Sequence, residues 1–413
     1  MTEQAKVPAI RFAGFTDPWE QRKLGDIAER VTRKNENNES DLPLTISAQH
    51  GLIDQRLFFN AQVASRDMSG YYLLRQGEFA YNKSTSADSP WGAIKRLTRY
   101  EKGCVSTLYI CFALLNANPD YLVTYYETNR WHKAVQMIAA EGARNHGLLN
   151  IAPDDFFDTM VSLPESQAEQ QTIGAFFSRL DSLITLHQRK YDKLVIFKKS
   201  MLEKMFPKDG ESVPEIRFAG FTDPWEQRKL ENLASFGGGH TPSMADASNY
   251  VDGKILWVTS QDVKQHYIEN TTTMISEKGA ATLTLYPSDS IVIVARSGIL
   301  RHTIPVAKLR KPATVNQDIK VIQTLDSCDS SWLLQYFIAS NKTLLREYGK
   351  TGTTVESIDF AKMKSTALMV PYIEEQQAIG SFFSRLDNLI TLHQRKLELL
   401  QNIKKSLLDK MFV

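Results

Sequence analysis

The side chains of this 413-residue chain that could do chemistry are hydrogen-bonding ones, and they fall in matched clusters in its two halves. An early pair of clusters is Ser47-Ala48-Gln49-His50 and Ser260-Gln261-Asp262. A middle pair is Asn82-Lys83-Ser84-Thr85-Ser86 and Arg296-Ser297-Gly298 through Arg301-His302. A late pair is Glu141-Gly142-Ala143-Arg144-Asn145-His146-Gly147 and Gly349-Lys350-Thr351-Gly352-Thr353-Thr354. Asn, Gln, Arg, Lys, Ser and Thr are the residues that pair with base edges and phosphates. Ser47, Gln49, His50, Asn82, Lys83, Ser84, Ser86, Arg144, Asn145 and His146 are therefore nucleic-acid-binding candidates in the first half. Ser260, Gln261, Arg296, Ser297, Arg301, His302, Lys350, Thr351 and Thr353 are their counterparts in the second. A merely solvated loop has the same composition, so no single residue is diagnostic. Unlike polar sets at like positions carry more weight, because they suit one frame reading two different targets.

Catalytic constellations are missing from the sequence. There is no GxxxxGK[ST] phosphate loop, no HExxH, no dinucleotide fingerprint after a strand and no Asn-Pro-Pro-aromatic motif. Gly237-Gly238-Gly239 lacks the following lysine of a phosphate cradle and reads as a turn opening the second half. The chain is expected to be non-catalytic, without a metal site.

The elements that must position these loops come from a repeat. IRFAGFTDPWEQRKL at 10–24 recurs unchanged at 216–230, and EQQTIGAFFSRLDSLITLHQRK, opening 169–206, recurs as EQQAIGSFFSRLDNLITLHQRK, opening 375–412. Both recurrences share one offset of 206 residues (Ile10 to Ile216, Glu169 to Glu375) and enclose dissimilar inserts, 25–168 and 231–374. Within 169–206, Ile173, Leu180, His187, Leu194 and Met201 recur every seven residues, with Phe177, Ile184, Tyr191 and Met205 at the second seam position. The other copy keeps that register with Ile379, Leu386, His393, Leu400 and Leu407, and with Phe383, Ile390, Leu397 and Met411. Heptad spacing sustained over about five repeats predicts coiled-coil packing, and some 38 residues make a rod of roughly 57 Å. Self-pairing of the two helices buries both seams, and a two-fold relation between the halves sets them antiparallel. It also predicts that Val413 ends near Val7, as Phe206 leads into Val213. His187 and His393 occupy equivalent seam positions; they are polar register markers or, alternatively, a metal- or pH-sensing pair. Trp19 and Trp225 in the identical blocks are expected to pack the inserts against the helix ends, the alternative being direct contact with a partner.

Both inserts read as mixed α/β with elements in the same order. In the first, 42–48, 77–82, 92–97 and 105–114 are strand-like and 121–139 is helical; in the second, 254–260, 289–295, 302–309 and 318–325 precede a helix at 331–348. The expected organisation is a first domain 1–165, a first spacer helix 166–206, a connector 207–215, a second domain 216–371 and a second helix 372–413.

Composition sets few further limits. A net charge of +2 neither demands nor excludes nucleic acid, since a local basic face matters more than the total. Cys104, Cys111 and Cys328 are too scattered for a disulfide frame or a zinc site and read as reduced, buried thiols. Without an apolar leader or a run of about 18 apolar residues, a cytoplasmic protein away from membranes is expected.

With both repeats read, the chain resembles the specificity subunit of a type I restriction–modification enzyme. The resemblance covers nearly the whole length. It rests on the paired FxGFxxxWExxKL-like openings, the EQQxIGxFFSRLDxLITLHQRK helices, and the Gly-His-Thr-Pro-Ser (239–243) and Asn316-Gln317 signatures of such recognition domains. The first insert lacks counterparts of these last two, which places it in a different recognition subfamily. The resemblance implies two α/β target-recognition domains separated by an antiparallel coiled coil with pseudo-two-fold symmetry. Each domain would read one half of a bipartite, asymmetric site in double-stranded DNA, with the helices as a ruler; such half-sites lie roughly 34–36 Å apart. Two modification subunits carrying S-adenosylmethionine would dock, flipping an adenine in each half-site for methylation. Restriction subunits using ATP and Mg2+ would join them, and this chain would hold no cofactor itself. The rival readings are a non-DNA scaffold binding two protein ligands through its inserts, and an enzyme with an unrecognised site. Steep loss of duplex binding with salt argues against the scaffold, and an inert purified chain argues against the enzyme. In a variant of the main reading, residues 1–206 alone pair with themselves and read a symmetric target.

Overall fold

The computed structural model describes residues 7–47, 50–59, 64–87, 89–139, 147–208, 210–351 and 355–413. The chain forms two compact units, residues 1–188 with 395–413, and residues 189–394. Each long helix, Gln167–Lys204 and Ile373–Lys410, gives its first part to one unit and its last part to the other.

The first unit is built on an antiparallel sheet in the order Ala28–Arg30, Ile110–Leu114, Phe79–Asn82, Ala93–Arg96. Alternation along the strands sorts the two faces. Phe79, Tyr81, Ile94 and Phe112 pack with Leu122, Trp131, Val135, Phe156 and the long-helix residues Ile173, Phe177 and Leu180. Ala80 and Cys111 face the other way, toward Val31, Leu44, Leu52, Leu74 and Val105. Two antiparallel pairs, Leu44–Ser47 with Gly51–Asp54 and Tyr72–Arg75 with Lys102–Val105, complete that side.

The second unit has a five-stranded sheet in the order Ala234–Gly238, Ile319–Thr324, Ile291–Val294, Val306–Leu309, Tyr267–Ile268. Its first four strands reproduce the order of the first unit. A three-stranded sheet, Met274–Ile275, Ile255–Val258, Ala313–Val315, covers one face, where Leu256, Val258 and Val315 meet Val292, Ala307 and Val321. Trp332, Leu333 and Phe337 of helix Ser330–Ala339 cover the other. The mixed α/β reading and the shared element order therefore hold.

Several boundaries differ from the sequence reading for local reasons. The expected helix 121–139 is two helices, Pro119–Tyr125 and His132–Ile138. Between them Thr128 Oγ1 donates to the Tyr125 carbonyl and Trp131 Nε1 to that of Tyr126, taking acceptors a continuous helix would use. Likewise 331–348 divides at Ser340, beside Asn341, whose Oδ1 accepts from Ile304 N. The run 105–114 is divided: Val105 ends strand Lys102–Val105 and Ile110 opens the next, with a turn between them in which Tyr109 N donates to Ser106 O. The run 302–309 begins at Val306, after Pro305, which has no N–H to donate. Gly237 and Gly238 lie in strand Ala234–Gly238 and are not a turn; the Tyr286 ring leaves no room for a side chain at Gly237. The sequence reading missed strands Glu20–Lys23 and Glu226–Lys229, which pair with Met160–Leu163 and Ala367–Val370. Their EQRK residues have no apolar alternation, so only backbone hydrogen bonds define them.

Antiparallel helix packing is evident inside each unit. In the first, Phe177 meets Phe412 while Asp181, farther along, meets Lys404. In the second, Lys198 meets Asp387 and Phe206 meets Phe383. Ile173, Leu180, Ile379, Leu386 and Leu397 are buried; Ile184, Leu194, Ile390 and Leu400, with His187 and His393, are half-buried. Among the described residues no group of three or more His, Cys, Asp or Glu is placed to hold a metal, and no helix is long and apolar enough to cross a membrane. The three cysteines are free and buried.

The identical blocks act as clamps. Arg11 makes a bidentate pair with Glu169 at 2.6 and 2.7 Å, and Arg217 with Glu375 at 2.8 and 2.7 Å. Trp19 packs edge-on against Phe412 and Trp225 against Phe206. Ile10 N donates to Lys410 O, and Ile216 N to Lys204 O. The chain end thus returns to its beginning as the first helix returns to the second block, which is the pseudo-circular relation the repeat predicts.

Candidate nucleic-acid interface

In the first unit the middle loop leaves the strand end at Asn82, whose Oδ1 accepts from Ser84 N. Gly92, at φ +79°, closes the loop where any side chain would run into the Asn82 carbonyl. Thr85 N and Oγ1 donate to Gly147 O at 2.6 and 3.1 Å, and Leu149 N donates to Lys83 O. The middle loop is therefore laced to the end of the late cluster. Ser84 and Ser86 are exposed. Lys83 is half-buried; its Nζ donates to Ile151 O, and burial pulls its pKa down. Ser47 is buried, its Oγ accepting from the backbone of exposed His50. Gln49, Arg144, Asn145 and His146 lie outside the described residues.

In the second unit five loops meet at one end of the sheet. Ala295 N donates to Asp318 O, Asn316 N to Val258 O, and Ile358 N to Ala295 O. These bonds tie the loops after Val258, Val294 and Val315 to the segment around Ile358. Ser260 is half-buried and Gln261 exposed, beside Asp262, which is fixed by Thr259 and Thr272. Arg296 is exposed, with its backbone bridged to Ser357. Ser297 N donates to Glu356 O, and its Oγ accepts from Ile299 N at the start of the turn Gly298–Arg301. Arg301 Nε donates to Glu356 Oε1 at 2.5 Å, which holds that carboxyl below its usual range. His302 and Thr351 are exposed, and Lys350 pairs with Asp359 at 2.8 Å. Thr353 lies outside the described residues.

The fifth loop holds residues the sequence reading left out of its site. Gly239 lies so close to the Val315 carbonyl that no side chain fits there. This contact brings 239–243 beside Asn316-Gln317, and Thr241 Oγ1 donates to Gln317 Oε1 at 2.7 Å. Glu356, which orients Arg301, was also missed. The two signature motifs were visible in the sequence; their joining, across 76 positions, was not.

Comparison with known proteins agrees with this architecture. The family model for the type I restriction modification DNA specificity domain matches residues 222–402. The chain is 31% identical over 166 residues to the EcoR124I/EcoR124II specificity subunit of Escherichia coli, a stretch covering 40% of this chain and 41% of that protein. The match thus spans less than half the length of that relative. The MjaVIII specificity subunit of Methanocaldococcus jannaschii is 21% identical over 328 residues, covering 75% of this chain and 73% of that one. In fold, the chain is similar to a type I restriction–modification S subunit from M. genitalium, with a TM-score of 0.59 at 12% identity over 98% of this chain and 99% of that one. Through residues 222–402 the chain is thus similar to the type I restriction modification DNA specificity domain, and through a wider stretch to the type I restriction enzyme specificity subunits.

Proposed function

We propose that this chain is the DNA-reading subunit of a type I restriction–modification enzyme, with each recognition domain reading one half of a bipartite, asymmetric duplex site. One observation carries the reading: two units of the same strand order gather dissimilar polar loops at their strand ends, while the helices and clamps behind them are nearly identical. A frame kept constant beside variable loops suits two copies of one partner and two different half-sites. In this reading the repeated helices and clamps dock two modification subunits, and the helix pair sets the spacer between the half-sites. S-adenosylmethionine, ATP and Mg2+ belong to the modification and restriction subunits, and the assembly works on DNA in the cytoplasm. This chain contributes recognition and no chemical step.

The test is methylome sequencing of cells expressing the chain with a compatible modification subunit, against a control lacking the chain. A new methylated motif of two unlike halves around a fixed spacer is expected. A stable complex that yields no motif would overturn the reading in favour of a protein-binding scaffold. Matched one-heptad insertions in both helices should lengthen the spacer, and an unchanged spacer would remove the ruler.

A further inference from the structure

We infer that the first unit keeps an open strand position, and that an extended segment of one modification subunit fills it as a parallel strand beside Ala93–Arg96. The inference rests on the docking role proposed above and deepens it by naming the surface. The template is the second unit. There the fourth strand, Val306–Leu309, carries a fifth, Tyr267–Ile268, in parallel register. Lys308 N donates to His266 O, and Arg310 N to Ile268 O. Tyr267 Oη reaches the long helix, donating to Asp387 Oδ2 at 3.1 Å. In the first unit the fourth strand is Ala93–Arg96, and among the described residues it pairs with Phe79–Asn82 alone. Strand Gly51–Asp54 pairs instead with Leu44–Ser47. Ile94 and Val306 both pack on the helix side of their sheets, which makes Arg96 the counterpart of Lys308. Hydrogen bonds alternate along an antiparallel ladder. Leu97 N donates to Glu78 O, so the N–H and C=O of Ile94 and Arg96 point away from the neighbouring strand. Among the described residues no hydrogen bond satisfies them. A sheet edge in that state is a template for one more strand. A cleft of about 960 Å3 lies along it, lined by Ile94, Lys95, Glu127, Asp181, Asn402 and Lys404 among others. Asp181 repeats Asp387 at the 206-residue offset. Its side chain is 42% exposed, against 11% for Asp387. The carboxylate that Tyr267 covers in one unit thus stands open in the other, ready for a hydroxyl-bearing side chain of the incoming strand. The far wall of the cleft, between Gln401 and Asp409, is the last part of the repeated helix on which a modification subunit docks in this reading. That continuity identifies the occupant. The second unit fills the position with its own chain, so one of two otherwise alike modification subunits gains the strand and binds more tightly.

The experiment follows amide hydrogen exchange of the full-length chain, resolved to single residues, alone and saturated with a compatible modification subunit in the absence of DNA. The amides of Ile94 and Arg96 should exchange fast in the free chain and roughly 10-fold or more slowly in the complex, while those of Lys95 and Leu97 stay slow in both. Calorimetric titration should resolve two affinities that differ by roughly 10-fold, the worth of two or three added main-chain hydrogen bonds. Asn402 is exposed on the helix wall, so Asn402→Trp fills the cleft without entering the core. That variant should weaken the tighter affinity and leave the other unchanged. Unaltered exchange at Ile94 and Arg96 in the saturated complex would overturn the inference, and so would two affinities that Asn402→Trp leaves as they are. A chain that binds no modification subunit at all would instead sink the function on which the inference rests.

Discussion

The ammonium of Lys198 lies 2.6 Å from the carboxylate of Asp387, with side-chain exposures of only 9% and 11%. Position 198 continues the heptad seam of the first long helix, where an apolar residue is the norm. Asp387 also accepts from Tyr267 Oη and Gln335 Nε2, each at 3.1 Å. The repeat reproduces the pair within the other unit as Lys404 and Asp181, at 2.5 Å, but Lys404 there also pairs with Glu127 at 2.7 Å. The helices thus carry one constant ion pair that each unit completes with its own residues. A charge sunk in an apolar seam tolerates only the register that supplies its counter-charge, so the pair fixes how the helices align.

Removing one member strands the other. Lys198→Ala is expected to destabilise the second unit by about 3–5 kcal/mol, since Asp387 stays buried without its cation. The double variant Lys198→Ala/Asp387→Ala should cost less than the two singles combined. Urea unfolding of the four proteins in a double-mutant cycle measures this, and additive costs would show the pair to be uncoupled.

Gly174 and Gly380 lie inside the long helices, where replacing glycine by alanine ordinarily adds up to about 1 kcal/mol of stability. Here the helices press on the domains. A Cβ at Gly174 would lie 2.7 Å from Tyr121 N, and one at Gly380 would lie 2.5 Å from Asp329 Oδ1. Both Gly→Ala variants are therefore expected to destabilise by about 1–3 kcal/mol, through forced backbone shifts. Thermal unfolding gives the sign directly.

Alkaline pH tests the first unit's seam. Burial by itself would lower the Lys404 pKa, but Glu127 and Asp181 outweigh it and hold the value above the ordinary 10.5. A cation favoured in the folded state contributes its full stability below the unfolded value and loses it as pH rises through the folded one. The stability gap between wild type and Lys404→Met should stay constant up to pH 10.5 and narrow only above it. Chemical denaturation across pH 7 to 12 is the measurement, and a gap that closes below pH 9 would contradict it.

Arg301 and Arg296 should behave differently on DNA. The Arg301 guanidinium is pinned by Glu356 yet 66% exposed, which presents an oriented fork suited to one base. Arg296 is exposed on a backbone bridged to Ser357 and suits a phosphate. Arg301→Ala should relax one position of the motif by about 1–3 kcal/mol, whereas Arg296→Ala should weaken all sequences alike and reduce the salt slope by about one. Binding titrations over randomised duplexes at several salt concentrations separate the two.

Much of this architecture was legible from residues alone because it repeats. Identical 15-residue blocks and matched heptads at one offset require two equivalent frames, antiparallel helices and a chain whose end returns to its beginning. Periodicity also located the core strands 79–82, 255–258, 291–294 and 319–324, whose buried faces need a regular apolar pattern. Tertiary structure alone decided the rest. The EQRK strands became strands because a distant segment offered backbone partners, and helix 121–139 broke because Thr128 and Trp131 took its carbonyls. Lys198 and Lys404 interrupt a seam that sequence reads as apolar, and their place there depends on Asp387 and Asp181 arriving from the other helix. Thr241 and Gln317 form one unit only because Gly239 lets two loops touch. Periodic burial is a property of each segment by itself and so is written locally. A polar contact between distant residues depends on where the whole chain brings them, and only the folded structure sets that.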